Sequence, residues 1–319
     1  MDTSFWDAGE LEQIVFTFAI VNWNTCELLD ACLASLLDQA RKYPCQILVA
    51  DNGSMDASVQ MVARKYPEVS LVCNEANLGF AKGHECLFAM SKGLYHVLVN
   101  SDIKLMPGCL DAVYQRMETS PRIGILGPQI LGEDFSVQPS CRRFPTLRRQ
   151  WIEASGLNRI FPRAPLFSSY RMGDFDHRSS REVDQIMGSF FVIRRDLIKR
   201  IGRLDMGFFM YFEEVDYCLR CKKEGFQVFF EASARVWHKG GGSASMVKVL
   251  TIRRTMRSMR RYFEKHFGPW TLFPMVGIVS LELVTHSVHA LFSARSFFAT
   301  VKAYSLAWWD VVTKKKADW

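Results

Sequence analysis

The chain has 319 residues, 49% of them hydrophobic, and a formal charge of +7, which suits one large domain, or one domain with an appendage, built on a sizeable core. Nine cysteines, an odd number at irregular spacing, argue against a secreted disulfide framework, and the lone Cys218-x-x-Cys221 has no second pair to complete a zinc site; buried thiols in a reducing cytosolic compartment are the expectation. The acidic residues 1–10 carry no signal-peptide pattern.

Residues 14–21 form an apolar, β-rich run ending at Asn22-Trp23-Asn24. Asn24 with Glu27 resembles a capping pair, and Leu28, Leu29, Cys32, Leu36 and Leu37 at helical spacing predict a helix over 27–43, stopped by Pro44. A second strand over 47–50 ends at Asp51-Asn52-Gly53-Ser54. A helix around 59–66, a strand over 69–73 and a helix over 80–91 follow. Residues 97–100 read as a buried strand ending at Asn100-Ser101-Asp102. This alternation implies parallel pairing through right-handed crossovers. Four polar corners, at Asn22, Asp51, Asn77 to Gly79, and Asn100 to Asp102, then lie on one sheet edge and outline a nucleotide-sized cleft. Neither the dinucleotide fingerprint nor a phosphate-loop motif is present. Asp51 can accept the imide N–H of uracil or thymine, or cap its own turn. Asp102 and Asn100 offer hard oxygen ligands suited to Mg²⁺ or Mn²⁺ on a diphosphate, although Asn-Ser-Asp is also ordinary turn chemistry.

Three blocks in order, Asp51-Asn52-Gly53-Ser54-x-Asp56, Asn74-x-x-Asn77-Leu78-Gly79-Phe80-Ala81-x-Gly83 and Leu98-Val99-Asn100-Ser101-Asp102, closely resemble the inverting family 2 glycosyltransferases of the GT-A fold, and within them bacterial rhamnosyltransferases. The similarity covers roughly residues 14–238 and continues more weakly to about 268. It implies an α/β chain with a mostly parallel, Rossmann-like sheet flanked by helices. It implies a nucleoside-diphosphate sugar donor held by Asn22, Asp51, the loop with Asn77, Gly79, Lys82 and Gly83, and by Asn100, Ser101, Gly188 and Arg142. Asn100 and Asp102 occupy the family's D-x-D position; Asn replaces the first acid, so metal binding rests on Asp102 and needs another ligand. The implied reaction moves a sugar, best matched by L-rhamnose from dTDP-rhamnose with UDP-linked hexoses also fitting, onto a hydroxyl of a glycan or lipid-linked acceptor. Bacterial cell-surface polysaccharide, such as the O-antigen of lipopolysaccharide, is the implied product.

Residues 108–119 predict a helix and 123–131 a short strand pair around Gly127-Pro128. The irregular, Arg-, Pro- and Ser-rich stretch 136–181 is expected either to close over the donor or meet the acceptor, or to be a solvated linker. Arg142 and Arg143 suit a phosphate oxygen. Residues 187–194 predict a strand opening with a close-approach glycine, Gly188. An aromatic run over 208–212 then delivers Glu213, Glu214 and Asp216 to a helix start, where the dipole favours negative charge. The three cannot all face one way, so some point into the cleft while others cap or pair, with Arg220 as a partner. The resemblance implies that an acidic pair here supplies the catalytic base. Its second member is commonly Asp in the family; here Glu214 takes the role, with Glu213 as rival, and a purely structural trio is the alternative. Strands over 228–231 and 236–238 lead to His238, which matches the family's metal-binding histidine and, with a carboxylate, suits Mn²⁺. Gly240 to Gly242 would let the chain fold over the diphosphate.

Residues 245–267 predict a helix carrying Lys248, Arg253, Arg254, Arg257, Arg260, Arg261 and Lys265. No nucleic-acid motif accompanies it, so contact with a diphosphate or with anionic lipid headgroups is expected, or a solvated face. Residues 270–293 are apolar but interrupted by Glu282, leaving runs too short to span a bilayer. Glu282, His286, His289 and Ser293 share one face, so an interfacial helix is expected, or a core or dimer helix. Aromatics over 297–309 and Lys314-Lys315-Lys316 fit a membrane–water interface. The expected division is 1–245, nucleotide-sugar-binding and catalytic, and 246–319, helical. The expected location is the cytoplasmic face of the membrane. Two other classes compete: a nucleotidyltransferase, which relies on a Gly-rich basic loop absent after the first strand, and a non-catalytic sugar-nucleotide-binding scaffold.

Overall fold

The structure, a computed structural model, describes residues 13–162, 164–239, 248–291 and 297–313. The chain opens with β1 (Phe16–Asn22), α1 (Cys26–Ala40), β2 (Cys45–Asp51), α2 (Ser58–Lys65), β3 (Ser70–Cys73), α3 (Phe80–Met90), β4 (Tyr95–Asn100) and β5 (Ile103–Leu105). It continues with α4 (Cys109–Thr119), β6 (Ile123–Leu131), β7 (Val137–Gln138), β8 (Cys141–Arg142), α5 (Leu147–Ser155), α6 (Leu157–Ile160), α7 (Pro165–Ser168), β9 (Arg181–Val183), β10 (Gln185–Ile186) and β11 (Phe190–Arg194). The last elements are α8 (Arg195–Ile201), α9 (Glu213–Lys223), β12 (Gln227–His238), α10 (Lys248–Phe267), α11 (Leu272–Leu291) and α12 (Phe297–Thr313).

The main sheet runs β3-β2-β1-β4-β11-β6-β12-β5. The first four strands are parallel, as the strand–helix alternation predicts, and β11 is antiparallel to both its neighbours. Near-continuous burial of β1, β2 and β4 reflects helices on both faces. One core packs Phe16, Phe18, Ile20, Val97 and Val99 against α1 and α4. A second, across the sheet, packs Leu98, Phe191 and Ile193 with Cys218 and Cys221, both buried on α9 as expected.

Several local expectations need correction. Asn24 does not cap α1: its Oδ1 accepts the Met55 N–H at 2.7 Å, and the helix starts after Thr25. The helix stops at Ala40 in a turn closed by Tyr43 N–H, ahead of Pro44. Residues 123–131 are one strand, not a pair. β6 passes through Pro128 because its parallel partner bulges there: the register jumps from Glu231↔Pro128 to Arg235↔Gln129. That bulge also makes one strand, β12, read as two. Residues 136–181 are neither a linker nor a structureless lid; they hold β7, β8 and three helices, with Thr146 capping α5 through its side chain.

The C-terminal helices share a third core with this region: Met259, Tyr262, Met275, Ile278 and Ala307 pack with Phe208, Phe212 and Val215. Most described cations of α10 meet carboxylates, although Arg261 and Lys265 remain exposed. Arg253 and Arg257 pair with Asp310, Arg260 with Glu264, and Arg261 and Lys265 with Asp205. Residues Pro269–Leu291 are, by length and a mean hydropathy of 1.4, long and apolar enough to cross a bilayer, contrary to the expectation. The single Glu282 does not interrupt the exposed stripe, because it turns inward within electrostatic reach of Glu153 and Arg159. His286 also turns inward, stacking on Tyr304. The outward stripe is apolar: Phe273, Val284, Val288 and Leu291 are exposed. Residues 1–10, Gly240 to Gly242, Ser293 and Lys314 to Lys316 lie outside the described residues.

Candidate active site

The polar corners do share one edge. β1 and β2 run in register, Asn22 beside Asp51, so both side chains emerge at the same level. Asn22 Nδ2 donates to Asp51 Oδ1 at 2.8 Å, and Ser54 donates to Asp51 through its N–H at 2.8 Å and its hydroxyl at 2.7 Å. Thr25 Oγ1 donates to Asn22 Oδ1 at 2.6 Å and lies 2.8 Å from Ser101 Oγ. One hydrogen-bonded chain therefore links the ends of β1, β2 and β4. Asp51 caps its own turn at the strand end, where it is 2% exposed. Ser54 and Thr25 are partners that sequence reasoning did not single out as site residues; Ser54 lies inside the Asp51-Asn52-Gly53-Ser54 motif, whereas Thr25 lies in none of the three motif blocks.

The loop before α3 is held by backbone. Asn77 Oδ1 accepts the Gly79 N–H at 2.9 Å, Asn52 Nδ2 donates to Gly79 O at 3.0 Å, and Phe80 N–H donates to Phe209 O at 2.7 Å. Gly79 sits at φ +80°, and a Cβ there would fall 2.3 Å from Phe209 O, so only glycine fits. Gly83 lets α3 approach Val21 and Asn52. Lys82 is exposed on α3.

The turn between β4 and β5 carries Asp102, and β12 lies antiparallel to β5 with His238 opposite Ile103. Asp102 Oδ1 and His238 Nε2 are 3.4 Å apart, both nearly buried. His238 Nδ1 faces Gln138 Oε1 at 3.3 Å, a contact that orients the ring with Nε2 toward Asp102. Gln138, on β7, had no signal in the sequence. Among the described residues no cluster of three His, Cys, Asp or Glu side chains occurs. The carboxylate–imidazole pair fits Mg²⁺ or Mn²⁺ as two protein ligands, with the rest of the shell left to diphosphate oxygens and water.

On β11 the antiparallel register brings Ser189 O to the Asn100 N–H at 2.8 Å. Gly188, one residue earlier, is where the acidic helix arrives: a Cβ there would lie 3.4 Å from Glu214 Cβ. Tyr211 and Phe212 hold φ values of +68° and +67° just before α9, a costly conformation for aromatic residues. The three acids then separate. Asp216 is buried and structural, 2.9 Å from Arg220, 2.6 Å from Lys265 and 2.8 Å from His266. Glu213 and Glu214 are different: the Oε2 of each is buried with no hydrogen-bond partner among the described residues. Burial and then the charge of Glu214 push Glu213 well above the ordinary carboxyl range. Burial also raises Glu214, but its own helix N–H groups and the Arg142 guanidinium pull it back. Tyr170, buried within electrostatic reach of Glu214 and Arg142, is a further neighbour invisible in the sequence. Arg143, in contrast, pairs with Asp174 at 2.9 Å.

A strand-end cleft with a nucleotide-sized rim, a carboxylate–imidazole pair and two acids, each with one buried oxygen left without a hydrogen bond among the described residues, is equipped to hold an anion and remove a proton. The comparisons agree with that. The model of glycosyl transferase family 2 matches residues 17–202. The chain is 34% identical over 254 residues to the N-acetylglucosaminyl-diphospho-decaprenol L-rhamnosyltransferase of Mycobacterium tuberculosis, covering 76% of this chain and 82% of that protein. Among solved structures, the mannosyltransferase PcManGT of Pyrobaculum calidifontis, in complex with GDP-Man and Mn²⁺, superposes with a TM-score of 0.56 at 15% identity, over 98% of this chain and 92% of that one. GalNAc-T7 with UDP, GalNAc and Mn²⁺ gives 0.58 at 13% identity, over 96% and 57%. These likenesses show a GT-A fold, and the chain belongs to glycosyl transferase family 2.

Proposed function

We propose that the protein transfers L-rhamnose from dTDP-rhamnose, with inversion, to a hydroxyl of N-acetylglucosamine carried on a lipid diphosphate. The relative from Mycobacterium tuberculosis supports the sugar and the acceptor class. The observation that carries the chemistry is the acidic pair Glu213–Glu214, each with one buried oxygen left without a hydrogen bond among the described residues, with Glu214 beside Gly188 and so close to the Asn100–Asp102 corner. Of the two acids, Glu214 is raised the less, because Arg142 and helix N–H groups favour its charged form, whereas burial and the charge of Glu214 hold Glu213 well above the ordinary carboxyl range. Glu214 therefore takes the proton of the acceptor hydroxyl as that oxygen attacks the anomeric carbon. The nucleoside diphosphate leaves from the opposite face of the sugar. Asn22, Asp51 and Ser54 hold the base and ribose side, and the Asn77–Gly83 loop closes beside them. A divalent cation between Asp102 and His238 would supply charge neutralisation to the departing diphosphate. No covalent sugar–enzyme intermediate is required.

Working at the cytoplasmic leaflet follows from the acceptor. The apolar stripe Phe273, Val284, Val288 and Leu291 on α11, with Phe298 and Trp309 on α12, is suited to lie in the interface plane. The test is a panel of dTDP- and UDP-sugars with an isoprenyl-diphospho-N-acetylglucosamine acceptor, with and without Mn²⁺, and the product's anomeric configuration read by NMR. Transfer of rhamnose with inversion supports the proposal. Retention, or turnover only with other sugars, rejects it.

A further inference from the structure

Arg254 stands apart from the other described cations of α10. Its neighbours Arg253, Arg257, Arg260, Arg261 and Lys265 each meet a carboxylate, but no described carboxylate pairs with Arg254. Its guanidinium lies 4.1 Å from the centroid of the Phe209 ring. Phe209 is the residue whose carbonyl holds the Phe80 N–H and whose ring fills the space beside Gly79. Four residues after Arg254, Ser258 Oγ donates to Met210 O at 2.9 Å, so α10 is braced against the segment that leads into the acidic pair. Electrostatically Arg254 is linked to Tyr211 and Arg257, and Tyr211 in turn to Glu213 and Glu214. Burial disfavours its charge, and Arg257 adds to that. A half-buried guanidinium on an aromatic ring with no counter-charge is costly unless an anion arrives to meet it.

We propose that Arg254 binds a phosphate oxygen of the acceptor's lipid-linked diphosphate and so positions the acceptor hydroxyl at Glu214, an assignment that rests on the lipid-diphosphate reading of the acceptor. The donor's diphosphate is the other source of the same chemistry. It belongs at the Asp102–His238 corner, to which no hydrogen bond or ion pair links Arg254 among the described residues, while Arg254 meets the acidic pair through Tyr211 from the α10 side. Guanidinium geometry suits a phosphate diester, and the Phe209 ring pre-orients the fork.

The test titrates the full-length chain by calorimetry with geranyl-diphospho-N-acetylglucosamine, with geranyl N-acetylglucosaminide, which lacks the phosphates, and with dTDP. Arg254→Met, which keeps the stem packed on Phe209, is expected to weaken the diphosphate probe by about tenfold and to leave the other two within about twofold. Arg254→Lys is expected to fall between. Loss of dTDP affinity matching that of the diphosphate probe assigns the cation to the donor and overturns the proposal, as does unchanged affinity for the diphosphate probe. If Arg254→Met does not fold, Arg254→Lys decides by the same comparison. A chain that binds the diphosphate probe through Arg254 yet transfers no rhamnose refutes the proposed donor reaction and leaves the anion site standing.

Discussion

Glu213 and Glu214 are adjacent acids in an environment that favours their neutral forms, a cost in stability at neutral pH that the proposed proton-acceptor role would account for. Because burial raises both above the unfolded value, the folded state is favoured when they are protonated, and that contribution is lost as pH rises through their folded-state values. Glu214→Gln should therefore reduce transfer by about 10²- to 10⁴-fold while the melting temperature at neutral pH stays level or rises; a fall in melting temperature would show a structural carboxylate instead. Wild-type transfer should climb with pH through a range above that of an ordinary carboxyl group. Asp216 behaves oppositely. Burial works to raise it, but His266, Arg220 and Lys265 prevail and hold it at about 2, so its stabilisation is complete above roughly pH 4 and disappears as pH falls toward 2. Asp216→Asn should cost about 3–5 kcal/mol in chemical denaturation, and its acid unfolding should lose the transition that Asp216 supplies. That one acid of the trio would pair with Arg220 was legible from their i, i+4 spacing. Its partners on α10, about fifty residues downstream, were not, because no local pattern encodes a tertiary ion pair.

At the level of elements, the cleft depends on a loop and an aromatic segment held together by one backbone hydrogen bond, Phe80 N–H to Phe209 O. Gly79→Ala adds a methyl where Phe209 O stands and imposes φ +80° on an L side chain. It should destabilise the fold by about 1–3 kcal/mol and raise the KM for the sugar nucleotide, measured by steady-state kinetics beside a melting curve; an unchanged KM would detach this loop from the donor. The parallel half of the sheet was readable because each apolar run is short, buried and ends in polar residues. β6 and β12 were not: Pro128 looks like a break, and only the bulge between Glu231 and Arg235 reveals that a partner strand accommodates it. Asp102 and His238 are far apart in sequence and carried no joint signal beyond family likeness. Their 3.4 Å approach follows from β5 pairing with β12, a register that composition does not encode.

For the molecule as a whole, α11 inverts the simplest amphipathic picture. Its acid faces α5, and its outward stripe is apolar, with Phe273 83% exposed and Phe298 of α12 equally so. Such a stripe on a folded protein marks a surface intended for something other than water. Replacing both phenylalanines with serine should weaken co-sedimentation with phosphatidylglycerol-containing vesicles by about tenfold or more, without altering transfer to a short-chain soluble acceptor; undiminished sedimentation would exclude this stripe as the contact. The basic pattern of α10 suggested a solvated or lipid-facing surface, yet most of its described charges close internal pairs, since a helical wheel cannot show which acids the fold will bring. Those pairs have a further bearing on biosynthesis. Arg253 and Arg257 meet Asp310, and Lys265 and His266 meet Asp216, so the helix bearing Glu213 and Glu214 is anchored by a segment that is itself anchored by one translated later still. A nascent chain halted before residue 248 would carry its acids without their moorings, and competence for transfer would arrive only as the final helices emerge.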